Sequence, residues 1–144
     1  MSKTSSEALE IVFQHLLKSA LFTDPKRPKG NLYKRQRPAG SKVEDVVINT
    51  LILNRLVIQE GVLNVNLYVP NLVLNTATGV DTTQPNNSRL LELSILANAA
   101  LEEIWATDGS YTFQVQQDHT FEDTNNQHYQ NFRIEFTAVN MPAH

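Results

Sequence analysis

The chain has 144 residues and no cysteine, and charged side chains make up only 19% of it. That length suits one domain able to bury a core, and the missing thiols exclude disulfides, thiolate metal sites and cysteine nucleophiles. The net charge of −3 hides an asymmetry: residues 25–42 hold seven of the 12 Lys and Arg and no acid, so the rest of the chain is strongly acidic. Neutral amides, 14 Asn and 9 Gln, supply the polarity that charges usually provide.

The spacing predicts a first helix over 5–22, with residues 1–4 as a flexible start. Thr4 and Glu7 stand three apart, as a capping box requires. Leu9, Val12, Phe13, Leu16, Leu17, Ala20 and Leu21 form one apolar stripe, opposite Glu10, Gln14, His15 and Lys18. The stripe is read as packing on a sheet. The N-terminus shows no positive region leading into an apolar run, so no leader is expected. No stretch approaches the roughly 18 apolar residues of a membrane span, and no membrane association is expected.

Asp24-Pro25 ends the helix. A basic loop over 24–42 follows, punctuated by Pro28, Gly30 and Pro38. A short extended piece is expected at Asn31–Arg35. Lys26, Arg27, Lys29, Lys34, Arg35 and Arg37 are the candidate contacts to a partner or to DNA. A solvated loop, a protein contact and a nucleic-acid contact all remain open. Tyr33 is the segment's one aromatic residue, so base stacking has little to work with.

Val46–Leu53 is rich in β-branched residues and reads as a strand. Leu63, Val65, Leu67 and Val69 alternate with Asn64, Asn66 and Tyr68, which predicts a second strand over 62–69 with one buried face. Residues 70–86 form a long loop. Its Leu72, Val73 and Leu74 suit docking better than open solvent, either on this subunit or as a contact to a neighbouring one. A second helix is expected over 88–105, with so broad an apolar face that burial on two sides is predicted and Trp105 becomes a core plug. Tyr111, Phe113 and Val115 begin one closing strand. Phe132, Ile134, Phe136 and Ala138 define the other, with a flexible tail over 140–144.

The expected fold is α+β: a mostly antiparallel sheet of four to five strands in the order α-β-β-α-β-β, with two main helices on one face. One domain spans 1–144, with no internal repeat.

Catalytic patterns are missing. There is no glycine-rich phosphate loop and no HExxH or GxSxG string. Asp118, His119, Glu122, Asp123 and His128 are the nearest approach to a metal cluster, but they fall in a polar hairpin where such groups are simply solvated. No catalytic, metal or cofactor site is assigned, and an enzyme is not expected.

The order of elements resembles the tail-completion and tail-terminator neck proteins of long-tailed bacteriophages and prophages. The resemblance covers roughly residues 7–139. It rests on the N-terminal helix, GNLYKRQRP (30–38), SKVEDVVINTL (41–51), VLNVNLYVPN (62–71), the long helix, and the closing pair YTFQVQQ and HYQNFRIEFTAV. These are framework strings, and their order carries the likeness. The resemblance implies a structural protein that assembles as a hexameric ring around the DNA channel, capping or completing the tail tube and joining it to the head connector. Its place would be the virion neck, and the bacterial host cytoplasm during assembly. It implies homo-oligomers, tube and connector partners, passive contact with DNA, and no cofactor. The alternative from a different class is a small nucleic-acid-binding module working through residues 25–42.

Overall fold

The computed structural model describes residues 2–139; Met1 and the expected tail at 140–144 lie outside the described residues. Helix α1 spans Ser5–Lys18 and opens with the anticipated capping box: the Thr4 hydroxyl accepts from the Glu7 N–H, and the Glu7 carboxylate accepts from the Thr4 N–H, both at 3.1 Å. The expected helix over 5–22 is in fact two. Ser19 leaves helical geometry because its hydroxyl donates to the Leu16 carbonyl at 2.7 Å and accepts from the Leu21 N–H at 3.3 Å. Its side chain thus replaces the backbone bonds that would continue the helix. Helix α2, Ala20–Thr23, restarts from that serine and buries Leu21 and Phe22. The start is tied down, since the Lys3 N–H donates to Gln59.

Strand β1 (Leu32–Lys34) runs parallel to β2 (Val46–Leu53), and β2 pairs antiparallel with β3 (Ile58–Pro70). The expected 70–86 loop carries its own small hairpin, β4 (Leu74–Thr76) with β5 (Gly79–Asp81). Helix α3 covers Asn87–Leu101, four residues shorter than predicted at its C-terminal end. Glu103 takes a positive φ of 42°, which turns the chain into a two-residue strand, β6 (Ile104–Trp105). Strands β7 (Tyr111–Asp123) and β8 (Gln127–Val139) form a long hairpin.

The main sheet has six strands in the order β1-β2-β3-β8-β7-β6. The α+β class holds, but the sheet is mixed and has one strand more than the upper expectation. Strand β1 falls within the extended piece expected at Asn31–Arg35, and the extra strand is β6, too short to show a period. One face is the core: Leu63, Val65, Leu67 and Val69 of β3 lie with Phe132, Ile134 and Phe136 of β8 under Leu9, Val12 and Leu16 of α1 and Leu93, Ala97 and Leu101 of α3. The two-sided burial predicted for α3 does not occur: Leu91 and Ile95 are exposed, and α3 buries one stripe. Trp105 is exposed as well, because it follows the helix onto an edge strand.

The opposite sheet face collects the amides. The β3–β8 register sets Asn66 across from Asn131, whose amide donates to Asn66 at 2.7 Å and to Asn64 at 3.3 Å. Arg133 donates to Gln116 at 2.9 Å on the neighbouring strand pair. Period-two alternation places these groups together once the strands are adjacent.

Candidate assembly surfaces

The basic segment does not form a free cationic loop; most of its charges are spent holding the chain together. Arg37 is the clearest case. Its guanidinium pairs with Asp45 at 3.2 Å, donates to the Ser41 carbonyl at 2.5 Å and to Gln127 at 3.3 Å, and lies 4.3 Å from the Tyr68 ring centroid. Asp45 is buried and also accepts from the Asn31 N–H and the Ser41 hydroxyl. Burial pushes the Tyr68 phenol above its ordinary pKa, and the Asp123 carboxylate adds to the rise. Arg27 donates to the carbonyls of Pro28 and Gly30 and stacks on Phe22. Lys34 pairs with Glu10 and lies over the Phe13 ring. The Lys34 contact holds the Glu10 carboxyl below its ordinary pKa. Arg35 donates to Ser6 at 2.9 Å. Lys26 makes a long, exposed contact to Glu92 at 3.8 Å. Of the six candidate cations, the Lys29 side chain alone stands outside these pairings, although its N–H donates to Glu44.

The residue that fastens this segment is Arg89 of α3. Its guanidinium grips the Glu44 carboxylate with two bonds, at 2.7 and 2.8 Å, and donates to the Lys26 and Arg27 carbonyls at 3.0 and 2.8 Å. Burial alone would raise the Glu44 pKa. The Arg89 bonds and the Lys29 N–H more than offset it, and the carboxyl ends below its ordinary value. Arg89 is raised in turn by Glu44. One sequence signal could have singled it out: Arg89 sits in the first turn of α3, where the helix dipole disfavours a cation. A residue there needs another reason, and the bidentate carboxylate supplies it.

The acidic and histidine positions of 118–128 do not converge. Alternate strand residues face opposite ways, so Asp118 and Glu122 leave the sheet on one side while His119 and Asp123 leave on the other. Asp118 accepts from Gln130, Asp123 accepts from Gln127, and His128 bonds Asn71 at 2.6 Å. Among the described residues, no three His, Asp or Glu side chains gather as a metal site would need.

What the surface does present is aliphatic. Leu72, Val73 and Leu74 are exposed and are joined by Val80 on the β4–β5 hairpin. Asn71 braces the base of that hairpin: its amide donates to the Thr82 carbonyl and its N–H to the Asn126 carbonyl, both at 2.9 Å. A second aliphatic tip, missed from sequence, closes the β2–β3 hairpin. Leu51, Ile52, Val57 and Ile58 are exposed there. Beneath them the buried Gln59 side chain donates to the Asn54 carbonyl at 2.6 Å and to the Lys3 carbonyl at 3.0 Å. The β-branched run had signalled a strand but not that its end outruns the helix layer. Among the described residues, no helix is long and apolar enough to cross a membrane. No protein-family model matches the chain, and no curated protein matches it.

Proposed function

We propose that this chain is a structural neck protein of a long-tailed bacteriophage or prophage, one that caps or completes the tail tube and joins it to the head connector as a ring around the DNA channel. The observation that carries this reading is the pair of braced aliphatic tips, one beyond each end of β3. Exposed apolar groups gathered at one place suit surfaces that meet other proteins, and hydrogen bonds at the base of each tip hold it ready for contact. The basic segment supports the same reading. Its Arg27, Arg35 and Arg37 are engaged within the fold, which leaves little free charge for a phosphate backbone. The order of the main elements, α1, β2, β3, α3, β7 and β8, resembles that of the family named above.

The test is to add the purified protein to polymerising tail tubes of a long-tailed phage that carries this chain, and to view the products by negative-stain microscopy. Ring-shaped density at one tube end, with growth stopped there, is expected. Tubes that elongate unchanged and bare-ended overturn the proposal. Tight DNA binding by the monomer with a steep salt dependence would replace it with the nucleic-acid module.

A further inference from the structure

Strand β7 has an open edge. On one side it pairs with β8 from Tyr111 to Asp123, but on the other β6 covers only Thr112 and Phe113. Among the described residues, no strand pairs with that side over 114–123. The register gives the direction of the free groups. The Tyr111 carbonyl accepts from the Ala106 N–H, so odd-numbered residues up to Val115 turn their backbone outward. The bulge between Val115 and Gln117 adds one residue, and beyond it Asp118, Thr120 and Glu122 turn outward instead. Their N–H and C=O groups are a ready template for one more strand.

A groove runs beside this edge. Ser94, Ile95, Asn98 and Glu102 of α3 form it with Asp118 and Phe132. Leu91 and Ile95, 61% and 60% exposed, stand one turn apart on α3. Asp118 and Glu122 leave the sheet on the α3 side, whereas the exposed Phe121 leaves on the other and stacks on Tyr129.

Charge selects the occupant. Residues 90–123 hold seven Asp and Glu and no Lys or Arg. Among the described residues, no ion pair holds Glu102, Asp118 or Glu122. Arg133 of β8 stands across from Gln117, leaves by the opposite face and donates to Gln116. His128 stands across from Glu122 and bonds Asn71. His119 leaves by the face opposite the groove, against Phe121. Lys26 and Arg89 meet Glu92, nearer the N-terminal end of α3.

We infer that this edge takes up an extended segment of a partner protein, in which Lys or Arg alternates with apolar residues, as an added strand beside β7. Backbone bonds to Asp118, Thr120 and Glu122 fix its register. On the α3 side its basic residues lay their aliphatic stems over Leu91 and Ile95 and set their charges near Glu102, Asp118 and Glu122. On the other face its apolar residues pack beside Phe121. A second copy of this chain does not fit edge to edge, since Asp118 and Glu122 would meet the same acids. The groove shares no residue with either aliphatic tip, so this contact does not rest on the neck reading.

The probe is a capped peptide of about eight residues, an ordinary strand length, alternating Lys and Val and added to the full chain. Hydrogen exchange followed by NMR should show the amide protons of Asp118, Thr120 and Glu122 gaining protection as the peptide saturates. Those of His119 and Phe121, already turned toward β8, should not change. A peptide of the same composition with its Lys and Val in two blocks should bind about tenfold more weakly, the scale of one lost charge-assisted backbone contact. Thr120→Pro deletes one outward N–H while leaving the β8 side of the strand its donors, and should weaken binding by a similar factor. Circular dichroism checks that this variant folds; should it not, Glu102→Lys with Glu122→Lys, both exposed, should weaken binding as much. Equal binding of the alternating and blocked peptides, protection at His119 and Phe121 in place of their neighbours, or a folded variant that binds like the wild type overturns the inference. So does protection of the same three amides by self-association of the chain without peptide.

Discussion

Arg89→Ala removes four hydrogen bonds at once and strands the Glu44 carboxylate beneath the basic segment. Losing one member of a buried ion pair costs roughly 3–5 kcal/mol. The Arg89 and Glu44 side chains keep 14% and 10% of their exposure, so water partly reaches the stranded charge, and a loss of about 3 kcal/mol is expected. For a chain of this length that lowers the melting temperature by roughly 6–12 °C. Urea denaturation followed by circular dichroism measures it, and a double-mutant cycle with Glu44→Gln should return a coupling of about 2 kcal/mol. The loss should also depend on pH. The Glu44 carboxyl is lowered in the folded protein, so its contribution is complete above the unfolded-chain value of about 4.3 and fades as pH falls through the folded value. The penalty of Arg89→Ala therefore shrinks in acid. A penalty below about 0.5 kcal/mol at neutral pH, the level of an ordinary surface change, would refute the clamp, and so would zero coupling.

The remaining predictions concern the segment, a close approach and a cap. Arg37→Ala should destabilise by about 3 kcal/mol because it abandons the buried Asp45, whereas Lys29→Ala, which gives up only a charge interaction with Glu44, should stay within about 0.5 kcal/mol; equal effects in urea titrations would contradict the division between clamped and loosely held cations. Gly61→Ala would set a Cβ 2.6 Å from the Ile52 carbonyl oxygen, and backbone cannot step aside as a side chain can. A loss of about 1–3 kcal/mol is expected from the same titration. Thr4→Ala removes the capping box and should cost about 1 kcal/mol, read as a lower urea midpoint at unchanged slope.

Much of this fold could be read from local chemistry. The start of α1 followed from Thr4 and Glu7, and β2 and β3 from β-branched content and alternation, because each of those signals lies within a few residues. The features that were not legible depend on distant partners. Ser19 breaks a helix whose apolar stripe continues past it, since the stripe reports burial and not the competing hydroxyl. Ile104 and Trp105 continue the helical spacing, yet they pair with β7, which lies ahead of them in the chain. The basic segment suggested solvent, a partner protein or phosphate only while Glu10, Asp45 and Glu44 were out of view. Glu44 meets Arg89 across 45 residues, and no spacing rule connects them. The amides were the reverse case: their strand faces could be assigned from alternation, and the β3–β8 register then brought Asn64, Asn66 and Asn131 together. Of the two apolar tips, Leu72, Val73 and Leu74 stood out because they interrupt a polar stretch. Ile52 was hidden inside a run that looked like ordinary core strand, and Val57 lay in the short connection between two strands.

The central claim is that the chain joins tails to heads by assembling at the tail end. Electron microscopy of particles made by a phage or induced prophage whose copy of this gene carries an early stop codon tests it most directly. Filled heads lying apart from tails, with joined particles restored when the protein is supplied from a plasmid, are predicted. Joined particles at normal yield without the protein would contradict the account.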